Sequence, residues 1–298
     1  MGESPGRGKA ICAVAVMLLG ASGAHAQLQV ELQLKRPQYI AYEPIVASLA
    51  ITNLAGRDVD LHDADGQRWF GFEITDKEGQ PIGLSSPDYR QPPLKIEAGK
   101  KVTQKINLTP LYPVHDYGTY HVRAHIYFAD LNKFFYSAAR VFEVTDARPI
   151  WQRTVGTNEP TVGAAATRTY SLLSNRFPDH TSLYVRVENK DSGVVYATYS
   201  LGRSVEFGEP QAELDRANQL HVLHCAAPRA WAYSRVGLDG QLLARSTFYE
   251  TKSRPRLVHS QDGKVAVAGG MMETPGAKSA RDSLPKLSDR PGESPPED

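Results

Sequence analysis

Three stretches of the 298-residue chain hold residue types that could do chemistry. The first is "QLHVLHCAAPRAWAY", Gln219 to Tyr233, where His221, His224 and Cys225 fall within five residues. The second is "HVRAH", His121 to His125. On a helix, histidines four apart share a face and can hold zinc. The flanking residues have period two, so His121, Arg123, His125 and Tyr127 take one side of a strand and Val122, Ala124, Ile126 and Phe128 the other. Positions four apart on a strand lie roughly 13 Å apart. One zinc with bonds of about 2 Å cannot bridge them, and a solvent-facing stripe is the better reading. The same geometry dissolves the first stretch. His224 and Cys225 point to opposite faces, and His221 is about 13 Å along the strand from Cys225. A buried, inert thiol is the expectation for Cys225.

The third stretch is "DVDLHDADGQRW", Asp58 to Trp69. Asp63, Asp65 and Gly66 have the spacing of positions 3, 5 and 6 of a calcium loop. Leu61 and Phe72 would then occupy positions 1 and 12, where ligands are required. Asp58, Asp60, Asp63 and Asp65 remain a weak calcium candidate beside the plainer reading, a solvated loop ending in an Asp-Gly turn. No metal and no cofactor is otherwise called for. The chain has no G-x-S-x-G elbow, P-loop, H-E-x-x-H or C-x-x-C. The reading therefore leans away from an enzyme.

Aromatic residues are the other candidates. Tyr127, Phe134, Phe135 and Tyr136 cluster on two adjoining strands, and exposed aromatics serve glycan stacking and protein interfaces. In the consecutive pair Phe134–Phe135, one ring must face away from the side the other faces.

The elements that would position these residues are strands. "QLQVELQLK" (Gln27–Lys35) alternates throughout, and similar runs cover Ile45–Thr52, Trp69–Thr75, Lys101–Leu108, Thr119–Phe128 and Phe134–Val144. Turn signals such as "DADG" and "EAGK" separate them. Some seven strands in about 120 residues suggest a two-sheet sandwich. "DYGTYHV" (Asp116–Val122) resembles the D-x-G-x-Y-x-C signature of immunoglobulin-type domains, with Tyr120 at the tyrosine position and Val122 in place of the cysteine. The resemblance covers residues 28–146 and implies an Ig-like sandwich with Trp69 as the core tryptophan; it carries no catalytic residue across.

Beyond "DARPIW" the pattern stays β but repeats. Leu183, Val185, Tyr196 and Leu201 match Leu220, Val222, Tyr233 and Leu238, each 37 residues on, and Val265 and Val267 begin a partial third copy. The expectation for 148–270 is a β domain of about three repeats, blade-like or trefoil-like. Residues 271–298, rich in Pro, Ser and charge, read as a disordered tail.

At the other end, Arg7 and Lys9 precede an apolar run that closes in Ala24-His25-Ala26, the pattern of a signal peptide over residues 1–26. Export to the periplasm or extracellular space is expected, with no transmembrane segment. The net charge of +1 gives no footprint for nucleic acid. The reading of the whole is all-β: an exported, non-catalytic binding or scaffolding protein with a protein or glycan partner. The alternatives are a glycan-binding or carbohydrate-processing accessory, and an enzyme with its site at the domain junction.

Overall fold

The computed structural model describes residues 27–157, 167–205 and 208–273. Residues 1–26, where a signal peptide is expected, and residues 274–298 lie outside the described residues. Strands dominate what is described, with one short 3-10 turn at Ala129–Leu131, and no helix among the described residues is long and apolar enough to cross a membrane.

The first half builds two facing sheets. One orders β1 (Leu28–Leu34), β3 (Val46–Asn53) and β8 (Lys101–Asn107) side by side. The other orders β2 (Gln38–Ile40), β11 (Arg140–Thr145), β9 (Gly118–Phe128), β5 (Phe70–Thr75) and β6 (Pro81–Ile82), with β10 (Lys133–Tyr136) also on β9. A small pair, β4 (Val59–Leu61) and β7 (Leu94–Ile96), stands beside them. Alternation does what the period-two pattern requires. Val30, Leu32, Leu49 and Ile51 of the first sheet meet Phe72, Val122, Ile126 and Phe142 of the second in one buried core. Trp69 lies fully in that core, its indole N–H donating to the Gln91 carbonyl at 3.1 Å. The Tyr120 hydroxyl donates to the carbonyl of Asp116, four residues back, at 2.9 Å.

The run Phe134–Val144, read from sequence as one strand, is two. At the break, the Ser137 hydroxyl accepts the Ala124 N–H at 3.0 Å, replacing a backbone carbonyl in the ladder. The chain then resumes as β11 along the earlier half of the same edge of β9.

The second half builds two antiparallel meanders. The first runs β12 (Arg148–Gly156), β13 (Thr167–Arg176), β14 (Thr181–Asn189) and β15 (Val194–Ser204). The second runs β16 (Gln211–Leu214), β17 (Leu220–Ala227), β18 (Ala230–Val236) and β19 (Leu242–Tyr249). A hairpin of β20 (Arg256–His259) and β21 (Val265–Ala268) follows, and β22 (Met271–Met272) returns to pair with β19. The first residues of the stretch 271–298 are therefore in a sheet.

Leu183, Val185, Tyr196 and Leu201 lie on β14 and β15, and Leu220, Val222 and Tyr233 on β17 and β18, with Leu238 in the turn that follows; their facing differs from that of stacked blades. Leu183 and Val185 share one core with Leu220 and Val222. Stacked blades present each matched face to the next copy in turn. Here the two matched faces look at each other, which is the arrangement of a sandwich. The hairpin covers the opposite face of the second meander, where Leu257 and Val267 pack on Leu223, Cys225 and Trp231.

The two halves meet through a polar latch. Arg36, just after β1, pairs with Glu43, a buried carboxylate, and donates to the Tyr184 hydroxyl of β14 at 2.8 Å. Arg186 of the same strand donates to the Ala41 carbonyl at 2.8 Å. Ile40, Ala147, Leu173 and Phe177 pack around this group. Burial pushes the Glu43 carboxyl upward while Arg36 pulls it down. Removing one partner strands the other in a poorly hydrated place. Glu43→Ala should destabilise the protein by about 3 kcal/mol and Tyr184→Phe by only about 1 kcal/mol, as read from urea unfolding curves.

Candidate functional site

The outer face of β5, β9 and β10 brings together side chains that are distant in sequence. Register places Glu73 opposite Arg123, Gly71 opposite His125, and then His125 opposite Tyr136 and Tyr127 opposite Phe134. Because β9 alternates, the outward residues form rows across three strands. One row is ionic: Arg123 Nε donates to Glu73 Oε2 at 2.7 Å, and the guanidinium lies 4.5 Å from the Tyr136 ring centre. The next is aromatic. Phe134 stands 5.0 Å from Tyr127, 5.7 Å from His125 and 6.2 Å from Tyr136, centre to centre.

The four aromatic residues singled out from sequence divide. Phe134 and Tyr136 face outward, and Tyr136 is 46% exposed. Phe135 faces inward and belongs to the core, so it is not a binding residue. Tyr127 is also buried, at 1% exposed: Phe134 lies against its ring and its hydroxyl is held by Asp65 and Asn132 at 3.2 and 3.0 Å. Tyr127 supports the platform from below.

Gly71 is the position where a side chain is missing. The His125 ring leans over it; a Cβ there would stand 2.5 Å from Nε2. Burial pushes the His125 imidazole below its ordinary value. Its Nδ1 is buried without a hydrogen-bond partner, 3.9 Å from Glu73 Oε1. Beside the ring opens a cavity of about 400 Å³ bordered by Gln67, Arg68, Glu73, Phe134 and Tyr136.

The acidic loop has a different use from calcium. Asp58 pairs with Lys95, and Asp60 stands opposite Lys95 in the β4–β7 register. Asp63 accepts the Trp69 N–H at 2.9 Å and lies 3.5 Å from Arg90, and Asp65 accepts from Tyr127. The four carboxylates do not converge, and among the described residues no group of three or more His, Cys, Asp or Glu is placed to hold a metal ion. Asp58 and Asp60 serve the β4–β7 pair, and Asp63 and Asp65 brace a tight turn. Ala64 and Gln67 close it with two backbone hydrogen bonds around Asp65 and Gly66, both left-handed. That turn delivers Gln67 and Arg68 to the rim of the platform.

Elsewhere, His121 is exposed and does not meet His125. His221 is buried in a relay, Nδ1 at 2.8 Å from the Tyr233 hydroxyl and Nε2 at 3.2 Å from Asp215. Neither His121 nor His221 lines the cavity at the platform. At the junction of the halves a cleft of about 500 Å³ is lined by Tyr42, Tyr112, His115 and Tyr196 among others, with His115 stacked on Tyr42 at 4.8 Å. It holds no paired acid and base.

Sequence reasoning missed Arg68, Gly71, Glu73, Arg123 and His125 as partners in one site. Only the pairing of β5 with β9 assembles them, and that register is not local information.

No family model and no curated protein matches this chain. Among solved structures it is similar to Spo0M, a sporulation control protein from Bacillus subtilis, at 10% identity and a TM-score of 0.28, covering 59% of this chain and 91% of that one. A likeness at that level carries no argument about fold or function.

Two predictions concern the strand that first drew attention. Cys225 is 3% exposed, burial raises its thiol above the ordinary value, and Sγ contacts the Ala227 carbonyl at 3.2 Å. Native protein should react with a thiol reagent orders of magnitude more slowly than unfolded protein. His224 is fully buried between the two meanders, and burial lowers it to about 4 from 6.5, outweighing the backbone of Arg203 that favours the proton. The unfolded chain then takes the proton first. The stability is complete above pH 6.5 and falls as the pH drops toward 4, by about 3 kcal/mol. In His224→Leu, denaturation curves across this range should lose most of that slope.

Proposed function

We propose that this is an exported, non-catalytic binding protein whose platform on β5, β9 and β10 receives the ring face of a sugar. The observation that carries the reading is the pair Phe134 and Tyr136, two residues apart on one strand, presented outward beside a cavity and framed by Glu73, Arg123, Gln67 and Arg68. Aromatic faces offer a flat apolar surface to the C–H side of a pyranose. The charged and amide groups at the rim offer donors and acceptors to its hydroxyls.

Two competing roles find less support. A scaffold binding through an apolar patch would gather its exposed apolar side chains. Here Val46, Val141, Ile150, Val194, Leu242 and Met271 are distributed over both halves of the chain. An enzyme at the junction would need a free acid or base in the cleft. Among the described residues no carboxylate lines the cleft, its imidazole, His115, is stacked on Tyr42, and Glu43 of the neighbouring latch is paired with Arg36.

Calorimetric titration with soluble oligosaccharides tests the reading. Tyr136→Ala should weaken binding tenfold or more, from the loss of about 1.5 kcal/mol of stacking, with the melting temperature unchanged. Equal affinity in the variant contradicts the platform.

A further inference from the structure

We infer that the ligand of this face is an acidic oligosaccharide that straddles His125 and places a carboxylate on Arg68. The inference rests on the reading of the face as a sugar platform and adds the ligand's charge and length.

Length comes from a second cavity. On the far side of His125 from Tyr136 lies a space of about 240 Å³ bordered by Gly71, Ile82, Leu84, Tyr89 and Tyr112. His125 and Arg68 border both this space and the one at Tyr136. The space at Tyr136 already lies within the range of about 300–1,000 Å³ usual for small-molecule sites, and the second extends it beyond His125. A single ring fills one lobe; a chain of rings crossing the imidazole fills both. The crossing is low because Gly71 has no side chain and the His125 ring lies down over its backbone. Any larger residue at 71 would lift the ring into the path.

Charge comes from the ion pairs. Arg123 is neutralised by Glu73, and the nearby Arg90 lies 3.5 Å from Asp63. Arg68 is half-buried, donates to the Pro87 carbonyl, and has no carboxylate within ion-pairing distance among the described residues. The site as built therefore holds one uncompensated guanidinium at the point where the two cavities meet. A guanidinium fork matches a carboxylate with two parallel hydrogen bonds. A sugar acid supplies that carboxylate on the same ring that stacks.

The test uses the full-length protein and two tetramers, of galacturonic acid and of mannuronic acid, each beside its fully methyl-esterified form. Esterification removes the charge and keeps the ring. At least one acid should bind tenfold or more tighter than its ester, and Arg68→Gln should bring the two to the same affinity. Gly71→Ala should weaken the acidic tetramer tenfold while leaving the corresponding dimer unchanged. Melting curves of both variants check that they fold. Acid and ester binding equally, with both lost in Tyr136→Ala, would overturn the carboxylate on Arg68 and leave the sugar platform standing. Tetramer and dimer weakened alike by Gly71→Ala would overturn the straddling of His125. No binding of any of the four would overturn both this inference and the sugar reading.

Discussion

Strand β9 is paired along both edges, with β5 on one and with β10 and β11 on the other. That double pairing decides which way each of its side chains points. A one-residue slip on either side would send Val122, Ala124 and Ile126 to solvent and Arg123 and His125 into the core. The hydrophobic cost of such a slip holds the register, since the inward residues lie in a closely packed sandwich. The outward row is fixed as a consequence. The platform thus draws its geometry from the core beneath it, and its rigid aromatic support, Tyr127, is held by hydrogen bonds to Asp65 and Asn132.

Much of the all-β architecture was legible because alternation is a local signal. Leu28, Val30 and Leu32 point inward as their spacing requires. The same logic separated His224 from Cys225 and kept His121 away from His125. Phe134 and Phe135 divided as consecutive strand residues must, although which of them faced the core needed the neighbouring strand. What was not legible depends on contacts between distant segments. Gly71 has meaning only because His125, more than fifty residues later, lies across it. The split of the run from Phe134 to Val144 turned on one hydroxyl, Ser137, taking a backbone N–H. The acidic loop looked like a cation site because carboxylates there serve neighbours that sequence spacing does not reveal: Lys95, Arg90, the Trp69 N–H and Tyr127.

The second half shows a different limit. The 37-residue similarity located two comparable sets of strands, yet said nothing about how they face. Two matched faces can look in the same rotational sense or at each other, and the same apolar positions satisfy both. Here they share one core, leaving the other face of the first meander to meet the sandwich. There Arg36, Glu43, Tyr184 and Arg186 join the halves. This junction is polar and specific where an apolar one would slide, because each charged group has a named partner.

A crystal structure of the protein soaked with an acidic tetrasaccharide tests the central claim most directly. The account predicts a sugar ring over Phe134 and Tyr136, a second ring beyond His125 against Tyr89, and a carboxylate on Arg68. Sugar density in the cleft between the halves, with the platform bare, would contradict it.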